Sequence, residues 1–209
     1  MTRLSRWILL FCLPAVPGLA TTISFQGTFG ADNQVALISL TANSSETIIV
    51  RTYSYAGGVV GSTTVPAGGF APAAFLFDTL GNVFPLTNGT CSQVGTDTTT
   101  GNCDDLFYQD ILGPGTFTLA LAVYDNRPVG TLLADGFMQD SNPGFTCQEF
   151  GAGSFCDVTT AEGNSRTGDY FLTISGADYV SQVEPEPGTL LLLLGGGAWL
   201  ALRRRVTGK

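Results

Sequence analysis

The central part of the sequence predicts an all-β protein, a single antiparallel β-sandwich that is jelly-roll-like. Apolar residues recur at every second position in several segments, as at Phe117, Leu119 and Leu121, and this period is typical of a half-buried strand. Turn signals rich in glycine and proline, such as residues 113–115, separate these segments. No segment of helical length in the central part carries a convincing helical apolar stripe. The pattern therefore indicates strands joined by turns.

Short β-rich segments follow one another along most of the chain between the two ends. About eight or nine strands in roughly 160 residues suit one sandwich with one core. The predicted strands are 23–29, 35–40, 47–55, 73–78, 82–87, 106–111, 117–123, 131–137 and 169–175.

The N-terminus has the layout of a secretory signal peptide. Arg3 and Arg6 precede the apolar residues 7–13, and a small-x-small triplet ends at Ala20. An N-terminal anchor helix is the alternative, but the apolar stretch is too short to cross about 30 Å of hydrocarbon. We therefore predict that residues 1–20 are a signal peptide, cleaved after Ala20.

The C-terminus combines a Pro-Glu-Pro triplet, an uncharged apolar stretch at 188–202 and a closing arginine cluster. Arginines after an apolar stretch are typical of a stop-transfer anchor held on the cytoplasmic side. We predict a secreted domain at 21–180, a linker at 181–187, and a transmembrane and basic tail at 188–209. The residues of this signal are Pro185, Glu186, Pro187, Arg203, Arg204 and Arg205.

These three parts, in this order, resemble the PEP-CTERM sorting domain. The resemblance implies recognition by an integral-membrane exosortase, which in that family cuts near the Pro-Glu-Pro and discards the tail. An ordinary C-terminal anchor is the alternative. The expected localisation is export, anchorage in the inner membrane through the C-terminal helix before processing, and then the cell surface or extracellular matrix.

The charge of the central part is strongly negative. Of the nine basic residues, only Arg51, Arg127 and Arg166 lie between residues 21 and 187, whereas all 17 acidic residues lie there, which gives a formal charge of −14. Such a surface repels nucleic acid and anionic lipid, and it favours cations and neutral polymers as partners. No nucleic-acid partner is expected.

The same composition excludes several kinds of catalysis. The chain has no histidine, and residues 21–187 contain no lysine, so histidine-dependent triads, histidine-ligated zinc and lysine nucleophiles are excluded. A pair of carboxylates of the glycosidase kind remains, but no spacing singles out one pair. We therefore predict a protein that is not an enzyme and has no cofactor.

Four cysteines lie in the central part: Cys91, Cys103, Cys147 and Cys156. An even number in an exported chain indicates two disulfides, and of the three possible connectivities the local pairs Cys91 with Cys103 and Cys147 with Cys156 are the simplest. A metal-thiolate site would need closely spaced Cys-x-x-Cys pairs, which the sequence lacks.

A second resemblance rests on short motifs of the central part, among them Leu76-Phe77-Asp78, Tyr124-Asp125-Asn126 and Asp135-Gly136-Phe137. These look like a family of small secreted PEP-CTERM proteins. Its fold is similar to bacterial pre-peptidase C-terminal domains, which are β-sandwich accessory modules. Ala71 stands where the resemblance implies an aspartate, so a cation site that used this aspartate in relatives would lack that ligand here.

Two kinds of ligand are open for this domain. A cluster of oxygen donors suits Ca²⁺, although the spacing of an EF-hand is missing and a solvated acidic loop explains the same residues. Its members are Asp97, Asn102, Asp104, Asp105 and Asp110. A carbohydrate site needs an exposed aromatic ring, and both tryptophans lie in the tails. The candidate rings are Tyr53, Tyr55, Tyr108, Tyr124, Tyr170 and Tyr179.

Two hypotheses follow from the sequence. The first is a non-catalytic cell-surface or extracellular-matrix protein, with an exosortase and extracellular polysaccharide as its expected partners. The alternative is a β-sandwich module that binds Ca²⁺ or carbohydrate.

Overall fold

A computed structural model describes residues 21–151 and 153–183. This part of the chain is all-β, with antiparallel sheets and almost no helix. No helix within it is long and apolar enough to span a membrane. The predicted signal peptide with its cleavage site at Ala20 and the predicted sorting signal lie outside the described residues. The residues of that signal are Pro185, Glu186, Pro187, Arg203, Arg204 and Arg205.

Eleven strands and one helical turn are present in the described part. The strands are β1 (Thr22–Thr28), β2 (Val35–Ala42), β3 (Glu46–Thr52), β4 (Gly58–Val60), β5 (Thr63–Val65), β6 (Pro72–Asp78), β7 (Val83–Pro85), β8 (Phe107–Leu112), β9 (Gly115–Val123), β10 (Asp169–Ser175) and β11 (Tyr179–Val183). The helical turn is α1 (Cys91–Val94), and short 3-10 turns lie at Leu133–Asp135 and Phe145–Cys147.

The strands form two main sheets and a separate hairpin. One sheet has the order β1-β10-β3-β8, the other has the order β11-β2-β9-β6-β7, and β4 pairs with β5. The pairs are nested along the chain: β6 with β7, β3 with β8, β2 with β9, and β1 with β10. Strands from the two ends of the domain therefore lie side by side.

The core lies between the two sheets. In one sheet Ile38 of β2 lies opposite Leu119 of β9, and in the other Val50 of β3 lies opposite Ile174 of β10; all four are buried in one cluster. Alternate residues of each strand point into this layer, as the period of two predicts. The predicted β-sandwich architecture is confirmed for the described residues.

The outer faces of both sheets are also covered in part. On the five-stranded sheet Phe75 and Phe77 pack with Phe137, and on the four-stranded sheet Tyr53 packs with Phe171 under the β4-β5 hairpin. Because β9 and β10 are central strands covered on both faces, most of their residues are buried.

One predicted strand is wrong. Residues 131–137 contain the 3-10 turn Leu133–Asp135, in which the Asp135 carboxylate accepts a hydrogen bond from the Leu132 amide at 3.1 Å. The segment is apolar because Leu133 and Phe137 cover the outer face of the five-stranded sheet rather than pair within it. Propensity alone does not separate these two uses of apolar residues.

Strands β4, β5 and β11 were not predicted as strands. β4 and β5 are three residues each, too short for an alternating pattern. β11 pairs with β2 from Tyr179 to Val183, so the sheet includes three residues beyond the expected domain boundary at 180.

Candidate functional site

The two disulfides close neighbouring loops. Cys91 is bonded to Cys103 and Cys147 to Cys156, which confirms the local connectivity. Polar contacts join the two regions: the hydroxyl of Thr159 donates to Asp104 at 2.8 Å and accepts from the Asn102 amide at 3.3 Å. Each segment is thus closed by its own disulfide, and polar contacts also connect the two segments.

A buried ionic cluster lies between these segments. The Arg166 guanidinium contacts Asp97 at 3.2 Å and Asp157 at 2.9 Å, and all three side chains are almost completely buried. Its central carbon lies 4.0 Å from the ring centre of Tyr55, whose hydroxyl donates to Asp157 at 2.6 Å. We call Tyr55, Asp97, Asp157 and Arg166 the Arg166 network.

The acids of the Arg166 network stay ionised. Burial alone raises the pKa of Asp97, but hydrogen bonds from Arg166 and Thr100 outweigh it and bring the pKa below its ordinary value of 3.8. For Asp157, burial likewise raises the pKa, and donors from Thr159, Tyr55 and Arg166 lower it overall. Each carboxylate is therefore held as a charged partner of the guanidinium.

Asp105 has a different internal role. Its carboxylate accepts hydrogen bonds from the Thr52 hydroxyl at 2.7 Å and from the amides of Ser54, Tyr55 and Ala56 at 2.8, 3.1 and 2.8 Å. Burial nevertheless raises its pKa above the ordinary value, because these donors only partly offset desolvation. Asp105 therefore orders the backbone that follows β3.

The predicted acidic cluster does not converge on one point. Asp97 faces Arg166, Asp105 faces the backbone after β3, and Asp110 lies exposed on β8, where it accepts from the Ile111 amide. Within the described ranges, no group of three or more His, Cys, Asp or Glu side chains is placed to hold a metal ion. The positive charge in this region comes from Arg166, which the sequence did not single out although it is one of only three arginines between 21 and 187.

The candidate tyrosines differ in exposure. Tyr53, Tyr55 and Tyr170 are buried, and Tyr108 is half-buried. Tyr179 is 64% exposed at the start of edge strand β11, and Tyr124 is 37% exposed directly after β9. Of these two exposed rings, Tyr124 lines a cleft.

The Tyr124 cleft consists of three adjoining depressions of about 380, 240 and 310 Å³, and Tyr124 contributes to all of them. These volumes approach or fall within the size range of small-ligand sites. The side chains that surround the cleft include Phe75, Asn88, Asp104, Asp125, Arg127, Gln139, Gln148, Glu149, Phe150, Val158 and Thr159.

Buried polar residues fix the loops that form the cleft. The Tyr124 amide donates to the carbonyl of Ala71 at 2.9 Å. The buried Asn126 side chain accepts from the Gln139 amide at 2.9 Å, and the buried Asp32 carboxylate accepts from the Thr146 amide at 3.0 Å and its hydroxyl at 2.6 Å. The walls on both sides of Tyr124 are therefore tied to the sandwich.

The rim of the cleft carries one exposed ion pair. Arg127 contacts Asp125 through its Nε atom, and the hydrogen bond and charge of Asp125 raise the pKa of Arg127. Because both side chains are about half exposed, the pair contributes little to folding but stays accessible to a ligand.

Comparison with known proteins finds no family model and no curated protein that matches this chain.

Proposed function

We propose that the protein is a non-catalytic protein of the cell surface or extracellular matrix that an exosortase sorts after export. The observation that carries this proposal is the pair of disulfides in an acidic sandwich, because such bonds persist in oxidising compartments outside the cytoplasm. The predicted signal peptide and the PEP-CTERM-like tail support the same destination, with the inner membrane as a transient anchor.

The proposal includes a jelly-roll-like fold. The nested antiparallel pairs of the two sheets support it, because double-sheet jelly rolls are built from Greek-key connections that wind the chain in this way. Such a fold presents loops at the ends of the sandwich, where a surface protein meets its surroundings.

Deletion of residues 188–209 tests the sorting part. The shortened protein should be released into the medium, because it lacks the anchor. Replacement of Pro185, Glu186 and Pro187 by alanine should leave an uncut, membrane-bound form, whereas alanine at the matched acidic position Glu162 should leave processing unchanged. Intact mass spectrometry of the medium and membrane fractions measures both, and recovery of Arg203 to Arg205 on the mature surface protein would contradict the proposal.

Carbohydrate binding is the second candidate function. It is favoured over Ca²⁺ binding because two of the predicted acidic ligands, Asp97 and Asp105, are engaged with Arg166 and with backbone donors inside the fold. The specific observation in its favour is Tyr124, an exposed ring shared by three adjoining depressions. This function adds adhesion to a matrix polymer without requiring catalysis.

A further inference from the structure

The position of Tyr124 suits a ring that contacts a ligand. Its ring is partly exposed where the three depressions meet, so a chain-like ligand that lies along the cleft passes over it. An aromatic face packs against the C–H face of a sugar ring, while the phenolic hydroxyl remains available for hydrogen bonding. Elongated ligands with alternating apolar faces and polar edges match this arrangement.

Uncharged hydrogen-bonding groups line the cleft around Tyr124. Gln148 donates to Asn142 at 2.9 Å, and Gln139 accepts from Asn142 at 3.0 Å. A carboxamide has two donor hydrogens and one acceptor oxygen, so each glutamine keeps further capacity for ligand hydroxyls. Asn88 adds another exposed carboxamide where two depressions adjoin.

The charges of the cleft select against an anionic polymer. Asp104, Asp125 and Glu149 contribute carboxylates, and Arg127, the one basic residue lining these depressions, contacts Asp125. The cleft is therefore net negative on a strongly acidic domain, so uronate or sulfate groups are repelled. Hydroxyl-rich uncharged chains meet no such repulsion.

We propose that the Tyr124 cleft binds an uncharged polysaccharide, with the Tyr124 ring under one sugar unit and the side chains of Gln139 and Gln148 holding the next. This inference rests on the carbohydrate-binding function proposed above and names its ligand class. The cleft discriminates by charge first, and by the fit of the sugar face to the ring second.

Native affinity electrophoresis of the protein, produced from the full chain by export in a bacterial host that has an exosortase, tests this assignment. The gels contain dextran, a soluble β-glucan or a galactomannan as uncharged probes, and alginate as the anionic probe. At least one uncharged polymer should retard the protein, and alginate should not. Tyr124→Ala should weaken the retardation at least tenfold, whereas Tyr124→Phe, which keeps the ring, should retain most of it.

Tyr179→Ala is the matched control, because it removes an exposed tyrosine on β11 and should leave retardation unchanged. Gln148→Ala, at an exposed position that lines the same depression as Tyr124, should weaken retardation severalfold, and it tests the assignment if Tyr124→Ala folds poorly. Retardation by none of the uncharged polymers, equal retardation of wild type and both cleft variants, or tighter binding of alginate would overturn the assignment.

Processing of the C-terminal tail is scored on the same preparations. Normal processing without retardation overturns the polysaccharide assignment alone. An unprocessed tail with normal retardation overturns the sorting proposal alone.

Discussion

The Arg166 network and the Tyr124 cleft contain similar residue types but use them differently. In the network, Tyr55 and Asp157 are buried and bonded to each other. In the cleft, Tyr124 and Asp125 are partly exposed and face solvent. Thr159 lies between the two regions, since it contacts Asp157 of the network and lines the depression of about 240 Å³ in the cleft. The difference shows that a polar side chain is structural or available to a ligand according to its partners and not according to its type.

Arg166→Met should have the largest effect on stability. It leaves Asp97 and Asp157 buried without their cation, and breaking a buried ion pair from one side costs about 3–5 kcal/mol. Urea unfolding of the exported protein measures this loss as a lower midpoint.

Arg127→Met is the matched control for that change. It breaks the exposed ion pair with Asp125 at the cleft, where water replaces the lost contact, so the urea midpoint should hardly move. Equal losses in the two variants would contradict the distinction between the two regions.

Acid should destabilise the protein through the Arg166 network. The pKa values of Asp97 and Asp157 are lower in the folded state than their ordinary value of 3.8. The two ionised carboxylates therefore contribute fully to the free energy of unfolding above pH 3.8, and this contribution is lost as the pH falls through the lower folded-state pKa values. Asp105 acts in the opposite direction, since its raised pKa makes protonation favour the folded state. The effect should be smaller than that of Arg166→Met, because a protonated aspartate still forms hydrogen bonds.

Urea midpoints between pH 7 and pH 2.5 measure this dependence. In the wild type, the urea midpoint should decrease once the pH is lowered below about 4. In Arg166→Met the trend should weaken or reverse, because protonation then relieves two unpaired buried charges. The same acid dependence in both proteins would show that the network is not its source.

Asp105→Asn should lower the free energy of unfolding by about 2–3 kcal/mol. In the wild type both carboxylate oxygens accept hydrogen bonds, one from the Thr52 hydroxyl and the other from the Ala56 amide. In asparagine an NH2 group replaces one of these oxygens, so two donors face each other. Asp110→Asn is the control. Asp110 is exposed and accepts from the Ile111 amide through one oxygen, which asparagine can supply as well. Thermal unfolding compares the pair, and a larger loss for Asp110→Asn would contradict the internal role of Asp105.

Removal of one hydroxyl from each region is the finest comparison. Tyr55→Phe deletes the donor to the buried Asp157 carboxylate and should cost about 1.5 kcal/mol. Tyr124→Phe deletes a hydroxyl at a partly exposed ring and should change the free energy of unfolding by less than about 0.5 kcal/mol. Chemical denaturation of the two variants side by side gives the result, and a reversed order would sink the structural assignment.

Most strands of the sandwich could be predicted because they leave a local signature. In β1 and β2 the alternation of more buried and more exposed residues appears within seven or eight consecutive positions. Residues 131–137 share part of that signature, but they lie across the outer face of the five-stranded sheet. The sequence does not distinguish the two cases, because apolar residues suit both a strand and a segment that covers a sheet. The disulfides were predictable for a similar reason, since each joins cysteines only 12 or 9 residues apart.

The candidate site was much less predictable. Asp97 and Arg166 are 69 residues apart, and no local pattern relates them. Six tyrosines were equivalent candidates for a sugar platform, and only their positions relative to the sheets separate Tyr124 from Tyr55.

The sequence by itself determined the strand-rich character, the acidic charge, the lack of histidine and the expectation of two disulfides, because each depends on composition or on residues close along the chain. The tertiary structure decided which carboxylates are buried against Arg166 and which tyrosine is exposed in a cleft. The physical reason is that burial and partner choice depend on the nested pairing of distant strands, as in β1 with β10. Desolvation then makes an unpaired charge costly inside the fold but tolerable at the Tyr124 cleft.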